Sequence, residues 1–134
     1  GLWDTNYEGK TAAAIENLRT KDFVFLHVEA SDEAGHDGDI DLKVKTIENL
    51  DARMVGPIYE ATRTWDEPVC IAILPDHFTP VELRIHVGEP VPFIINAPSL
   101  TPDSVQTYDE FSCVEGSYGI LKLHEFMDTL MKIK

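Results

Sequence analysis

Two runs, Phe23-Val24-Phe25-Leu26-His27-Val28 and Val69-Cys70-Ile71-Ala72-Ile73-Leu74, carry almost no polar alternation. Extended chain points successive side chains to opposite faces, so such runs need apolar cover on both sides. That is the environment of strands in a mostly parallel sheet with helices on both faces. Each run is followed at once by residues that bind metals: Asp32 and His36 after the first, Asp76 and His77 after the second. In parallel α/β sheets, ligand-binding groups collect at the carboxyl ends of strands, so two separate segments deliver donors to one edge. His86 adds another, and these five nitrogen and oxygen donors fall between residues 32 and 86 of a chain with five histidines.

Between the runs the hydrophobic spacing is helical. Asn6, Gly9 and Thr11 punctuate a start, and Ala13, Ala14, Ile15 and Leu18 predict a first helix ending near Thr20. From Asp39, the residues Ile40, Val44, Ile47, Leu50 or Ala52, Met54 and Ile58 recur at three and four, predicting a long amphipathic helix. Gly56-Pro57 predicts a kink in it, because proline removes an intrahelical donor and crowds the preceding turn. Residues 81–85 read as a short third strand, and Phe93-Ile94-Ile95 should enter the sheet only after Pro90 and Pro92. Ile120, Leu121, Leu123, Phe126, Met127, Leu130 and Met131 predict a last helix. Strand, helix, strand and helix over this length describe a three-layer α/β domain.

The formal charge of −13, from 11 basic and 24 acidic residues, repels phosphate backbones and anionic lipid, so neither nucleic acid nor membrane is expected as a partner. No apolar stretch approaches the roughly 20 residues of a membrane span, and no signal pattern opens the chain, which predicts a cytoplasmic protein. Cys70 and Cys113 have no C-x-x-C spacing and are expected as buried, reduced thiols.

Each candidate residue has a plain reading beside the functional one. Asp32 and His36, four apart, reach one cation from the same side if the segment coils, whereas Asp32 alone could simply cap a helix. Asp76 and His77 could be a turn aspartate and a surface histidine, and His86 an ordinary polar residue; the combination points to metal. Lys10 is either a contact for a substrate phosphate or a solvated lysine. Arg84 pairs with a phosphate or with an acidic neighbour. His27 reads as a core histidine, His124 as surface, and Trp3, Trp65 and Tyr59 as core or rim.

The stretch His27-Val28-Glu29-Ala30-Ser31-Asp32-Glu33-Ala34-Gly35-His36, with Leu74-Pro75-Asp76-His77 and His86-Val87-Gly88-Glu89-Pro90-Val91-Pro92-Phe93, resembles the cofactor-independent (2,3-bisphosphoglycerate-independent) phosphoglycerate mutases. It resembles their archaeal-type branch within the alkaline phosphatase superfamily, and Asp4-Thr5-Asn6-Tyr7-Glu8-Gly9-Lys10 is similar to the segment ahead of the first strand. The resemblance implies that Asp32, His36 and His86 hold one ion, and that Asp76 and His77 belong to a second, incomplete one. It also implies two divalent ions in the complete enzyme, Mn²⁺ first, with Zn²⁺, Co²⁺ or Mg²⁺ as alternatives.

The implied reaction interconverts 2- and 3-phosphoglycerate, a step of glycolysis, through a phosphoserine. None of Ser31, Ser99, Ser104, Ser112 and Ser117 sits in a motif like the family's nucleophile. Residues 1–134 are therefore expected to be the carboxy-terminal part of the metal-binding domain, inactive alone, without the nucleophile segment or the second, glycerate-holding lobe. A homo-oligomer through an exposed sheet edge is expected. The alternatives are a non-catalytic metal-binding module, or a phosphatase, sulfatase or other sugar-phosphate mutase of the same superfamily.

Overall fold

The computed structural model describes residues 2–133. They form two compact units, Gly1–Asp66 with Thr79–Val87, and Glu67–Phe78 with Gly88–Lys134.

The first unit is helical. Helix α1 (Tyr7–Leu18) begins four residues earlier than the apolar spacing predicts, because Asn6 is its cap: the side-chain oxygen accepts the Gly9 N–H at 2.9 Å. Helix α2 (Ala30–Asp37) follows the first apolar run and ends on Gly38, whose φ of 70° is the left-handed geometry that glycine adopts freely. Helix α3 (Ile40–Leu50) starts from Asp39, whose carboxylate accepts the Leu42 N–H.

The kink expected near Pro57 takes the form of a π-helical turn, Asp51–Val55, leading into α4 (Gly56–Thr62). Pro57 has no N–H for the carbonyl four residues back, which is that of Arg53. Thr11 of α1 supplies the missing donor, its hydroxyl reaching the Arg53 oxygen at 3.0 Å. Thr11 is buried, so its replacement by valine keeps the shape and leaves a carbonyl without its partner. Thr11→Val is expected to lower stability by about 1–3 kcal/mol in denaturant unfolding. An unchanged midpoint would show that this hydrogen bond contributes nothing.

The core of this unit is Tyr7, Ala30 and Met54, with Leu26, Val28 and Leu50 against it. Arg53 lies over the Tyr7 ring at 4.5 Å and grips the Glu8 carboxylate with two nitrogens, at 2.6 and 2.8 Å. That guanidinium pulls the Glu8 carboxyl down to about 2.

Several expectations fail here. The buried side of α3 carries Thr46, with Leu42, Lys43, Asn49 and Leu50 half-buried, while Ile40, Val44 and Ile47 are all more than half exposed. The spacing is helical as predicted, but only its later part, Leu50 and Met54, meets the core, while Ile40, Val44 and Ile47 face away from it. Residues 81–85 are a turn, not a third strand: the Leu83 and Arg84 N–H groups both donate to the Pro80 carbonyl. His27 is exposed rather than core, its ring stacked with Phe25 at 6.1 Å.

Among the described residues the run 23–28 pairs with no other strand. Its exposure still alternates as in a strand, with Val24, Leu26 and Val28 half-buried and Phe23, Phe25 and His27 exposed.

The second unit holds β1 (Ile71–Ile73) and β2 (Ile94–Asn96), paired antiparallel with Ala72 opposite Ile95. This two-stranded sheet stands where the sequence led us to expect a mostly parallel one in three layers. The parallel pattern needs run 23–28 as a neighbour, and that run makes no ladder. A 3₁₀ turn, Cys113–Glu115, precedes α5 (Leu123–Leu130), which begins later than its apolar stripe because Lys122 caps it, its N–H donating to the Glu125 carboxylate. Phe93 packs edge-on against Phe126, ring centres 5.3 Å apart. The Tyr108 hydroxyl donates to the Pro92 carbonyl, and burial pushes this phenol well above its ordinary value. Asp103 and Asp109 accept backbone N–H groups in the loops, which lowers both carboxyls. Cys70 is exposed and Cys113 half-buried, so the expectation of two buried thiols fails, although both are free.

Candidate metal centre

Helix α2 places Asp32 and His36 one turn apart on one face. Asp32 is the third residue of the helix and not its cap, which removes the simpler reading of that aspartate. The turn after Pro80 brings in His86. The His36 and His86 Nε2 atoms approach to 3.0 Å, His86 Nε2 lies 3.4 Å from Asp32 Oδ1, and His36 Nε2 lies 3.5 Å from Asp32 Oδ2. Donors held at about 2.0–2.1 Å from one tetrahedral ion sit roughly 3.3 Å from each other, so the spacings of His86 to His36 and to Asp32 Oδ1 come close to such edges, while His36 approaches the other carboxylate oxygen. Two imidazoles and a carboxylate are also a borderline donor set that suits a first-row divalent ion.

The ring of His36 is fixed from behind. Its Nδ1 stands 2.9 Å from the Arg84 carbonyl oxygen. A carbonyl only accepts, so Nδ1 carries the hydrogen and Nε2 presents its lone pair towards Asp32 and His86.

Asp32 is held as well, since the Thr79 hydroxyl donates to its Oδ1. Lys43 on α3 donates to the Thr79 carbonyl oxygen. Neither Thr79 nor Lys43 stood out in the sequence, because a hydroxyl and a lysine within a helical pattern carry no ligand signal of their own.

The other candidates are placed as follows. Asp76 and His77 lie in the second unit, in the bend after β1, with His77 Nε2 3.5 Å from Asp76 Oδ2 and the His77 N–H donating to Asp76 Oδ1. Lys10, on α1, donates through Nζ to the His27 carbonyl at 3.0 Å. The Arg84 side chain lies against Gly38, so this residue meets the site through its backbone. Ser31 is half-buried in the first turn of α2. His124 is exposed on α5, as expected. No helix among the described residues is long and apolar enough to cross a membrane.

Proteins named 2,3-bisphosphoglycerate-independent phosphoglycerate mutase are similar to this chain. That of Methanosarcina barkeri is 49% identical over 100% of the chain and 34% of its own length. That of Methanosarcina acetivorans is 46% identical over 99% of the chain and 34% of its length, and that of Thermococcus kodakarensis 38% over 99% and 32%. The chain thus spans about a third of the length of the curated relatives it matches. The solved structure of the PH0037 protein from Pyrococcus horikoshii superposes with a TM-score of 0.88 at 35% identity, over 97% of this chain and 38% of that one. A family profile described as "Metalloenzyme superfamily" matches residues 3–133. With nearly every residue inside that match, the chain belongs to the metalloenzyme superfamily.

Proposed function

We propose that this chain is the carboxy-terminal part of the metal-bearing domain of a 2,3-bisphosphoglycerate-independent phosphoglycerate mutase. The observation that carries the reading is the meeting of Asp32, His36 and His86, with the imidazole nitrogens and the carboxylate oxygens 3.0–3.5 Å apart, in a chain 49% identical to a protein of that name. These three residues hold one divalent ion, and Asp76 with His77 contribute to a second. In the complete domain, run 23–28 joins a parallel sheet with helices on both faces. Phe23 and Phe25, exposed here, would be covered in that sheet. The ion is Mn²⁺ in the first instance, and the compartment is the cytoplasm.

The reaction moves a phosphoryl group between the 2- and 3-oxygens of glycerate. The substrate C–O–P linkage breaks as a serine O–P bond forms, and the group then returns to the other hydroxyl of the same glycerate. Divalent ions held by these donors would make the serine hydroxyl a better nucleophile and would neutralise charge on the group in transit. The part this chain plays is to hold and orient the donors: α2 fixes the spacing of Asp32 and His36, and the Arg84 carbonyl keeps the His36 lone pair forward. Lys10 and Arg84 carry positive charge suited to phosphate. The serine nucleophile and the lobe that holds glycerate belong to the remaining two-thirds of the relatives' length.

The full-length protein is expected to interconvert 2- and 3-phosphoglycerate without added 2,3-bisphosphoglycerate, to lose that activity on chelation and to regain it with Mn²⁺. Residues 1–134 alone are expected to show no turnover. Hydrolysis of other phosphate or sulfate esters with no mutase activity would move the assignment to another branch of the superfamily.

A further inference from the structure

Residues 79–84 meet the ligand-bearing helix at three points, and two of them are hydrogen bonds to proposed ligands. The Thr79 hydroxyl donates to Asp32 Oδ1. The Arg84 carbonyl accepts from His36 Nδ1 at 2.9 Å. Between them, Gly35 packs so tightly on the Thr79 backbone that an added β-carbon would strike its carbonyl oxygen and lie 2.9 Å from its methyl group. The segment is itself held: Arg84 N–H donates to the Pro80 carbonyl at 2.8 Å, and Lys43 Nζ donates to the Thr79 carbonyl. Arg84 also adopts a φ of 56°, which a residue with a side chain rarely does.

We propose that this turn is a clasp in which Thr79 is the positioning residue for Asp32, while the Arg84 backbone holds His36, so that the turn sets how tightly the site binds a divalent ion. The proposal rests on the assignment of Asp32, His36 and His86 as ligands. A carboxylate that rotates freely about its Cβ–Cγ bond loses orientation entropy when it binds an ion, and the Thr79 hydroxyl removes that freedom beforehand. It engages the Asp32 carboxylate at Oδ1. Partners of this outer kind are typically worth 10- to 100-fold in metal affinity. Because Thr79 stands two residues beyond His77, the same short peptide that carries one proposed donor pair also orients the other.

The test is Mn²⁺ titration of the full-length protein, followed by the electron paramagnetic resonance of free and bound ion. Thr79→Val keeps the shape and removes the hydroxyl, and is expected to weaken binding about 10- to 100-fold and to alter the bound-ion spectrum. Thr79→Ser restores the hydroxyl and is expected to restore both. Thr79→Ala carries the same expectation as valine should the valine variant not fold. Binding by Thr79→Val equal to the parent, or a loss in Thr79→Ser as large as in valine, overturns the clasp. His86→Ala separates the two levels: if it abolishes binding while Thr79→Val binds as tightly as the parent, the clasp alone is wrong. If neither matters, the ligand assignment falls and the clasp falls with it.

Discussion

His86→Ala is expected to cost more than about 100-fold in Mn²⁺ affinity, above the range set by outer hydrogen-bond partners, and to remove mutase activity from the full-length protein at ordinary metal concentrations. His86 Nε2 lies within 3.4 Å of both the Asp32 carboxylate and the His36 ring, so deleting it takes one corner from the site. His124→Ala is the matched control, a histidine removed from an exposed position on α5 in the second unit, and should leave both properties unchanged. Calorimetric titration checks the first property and a coupled assay the second. Equal losses in the two variants would contradict the assignment of His86.

Gly35→Ala is expected to destabilise the protein by up to about 2 kcal/mol. Alanine in a helix interior normally gains roughly 1 kcal/mol over glycine, but overpacking against a fixed neighbour costs about 1–3 kcal/mol and sometimes more. Here the neighbour is backbone: the new carbon would strike the Thr79 carbonyl oxygen and come within 3.0 Å of Lys43 Nζ. Relief requires α2 and Thr79 to separate, which also draws the hydroxyl from Asp32. The variant should therefore lose metal affinity along with thermal stability. An alanine variant that melts at or above the parent temperature would show that the contact relaxes without consequence.

The meeting of Asp32, His36 and His86 was legible because metal chemistry needs particular residue types, and helical spacing between Asp32 and His36 is visible in the letters. The kink at Pro57 was legible for a similar reason, since a proline declares which N–H is missing. What the letters did not show was the hydroxyl of Thr11 standing in for it, because that contact joins residues 42 positions apart. The uncertain choice between Leu50 and Ala52 in the apolar repeat has its cause in the π-helical turn, which inserts a residue the regular period does not expect.

The sheet was the least legible element. Apolar runs 23–28 and 69–74 both have strand composition, but pairing depends on which backbone lies alongside, and only residues 71–73 find a partner here. The direction of the α3 stripe was also hidden. Periodicity reports that one face is apolar and says nothing of which neighbours exist to cover it; Thr46 is buried by what surrounds it, whereas Ile40, Val44 and Ile47 are not. Thr79 was missed because positioning by a neutral hydroxyl leaves no trace in charge or spacing.

The π-helical turn has a geometric consequence for everything that follows it. One surplus residue swings the downstream helix by about 100° around its axis, and Thr62 of α4 is buried at that angular setting. Deleting a single residue between 51 and 55 would tidy the local winding yet present a different flank of α4 to the interior. In this part of the molecule, the count of residues is as strongly constrained as their identity.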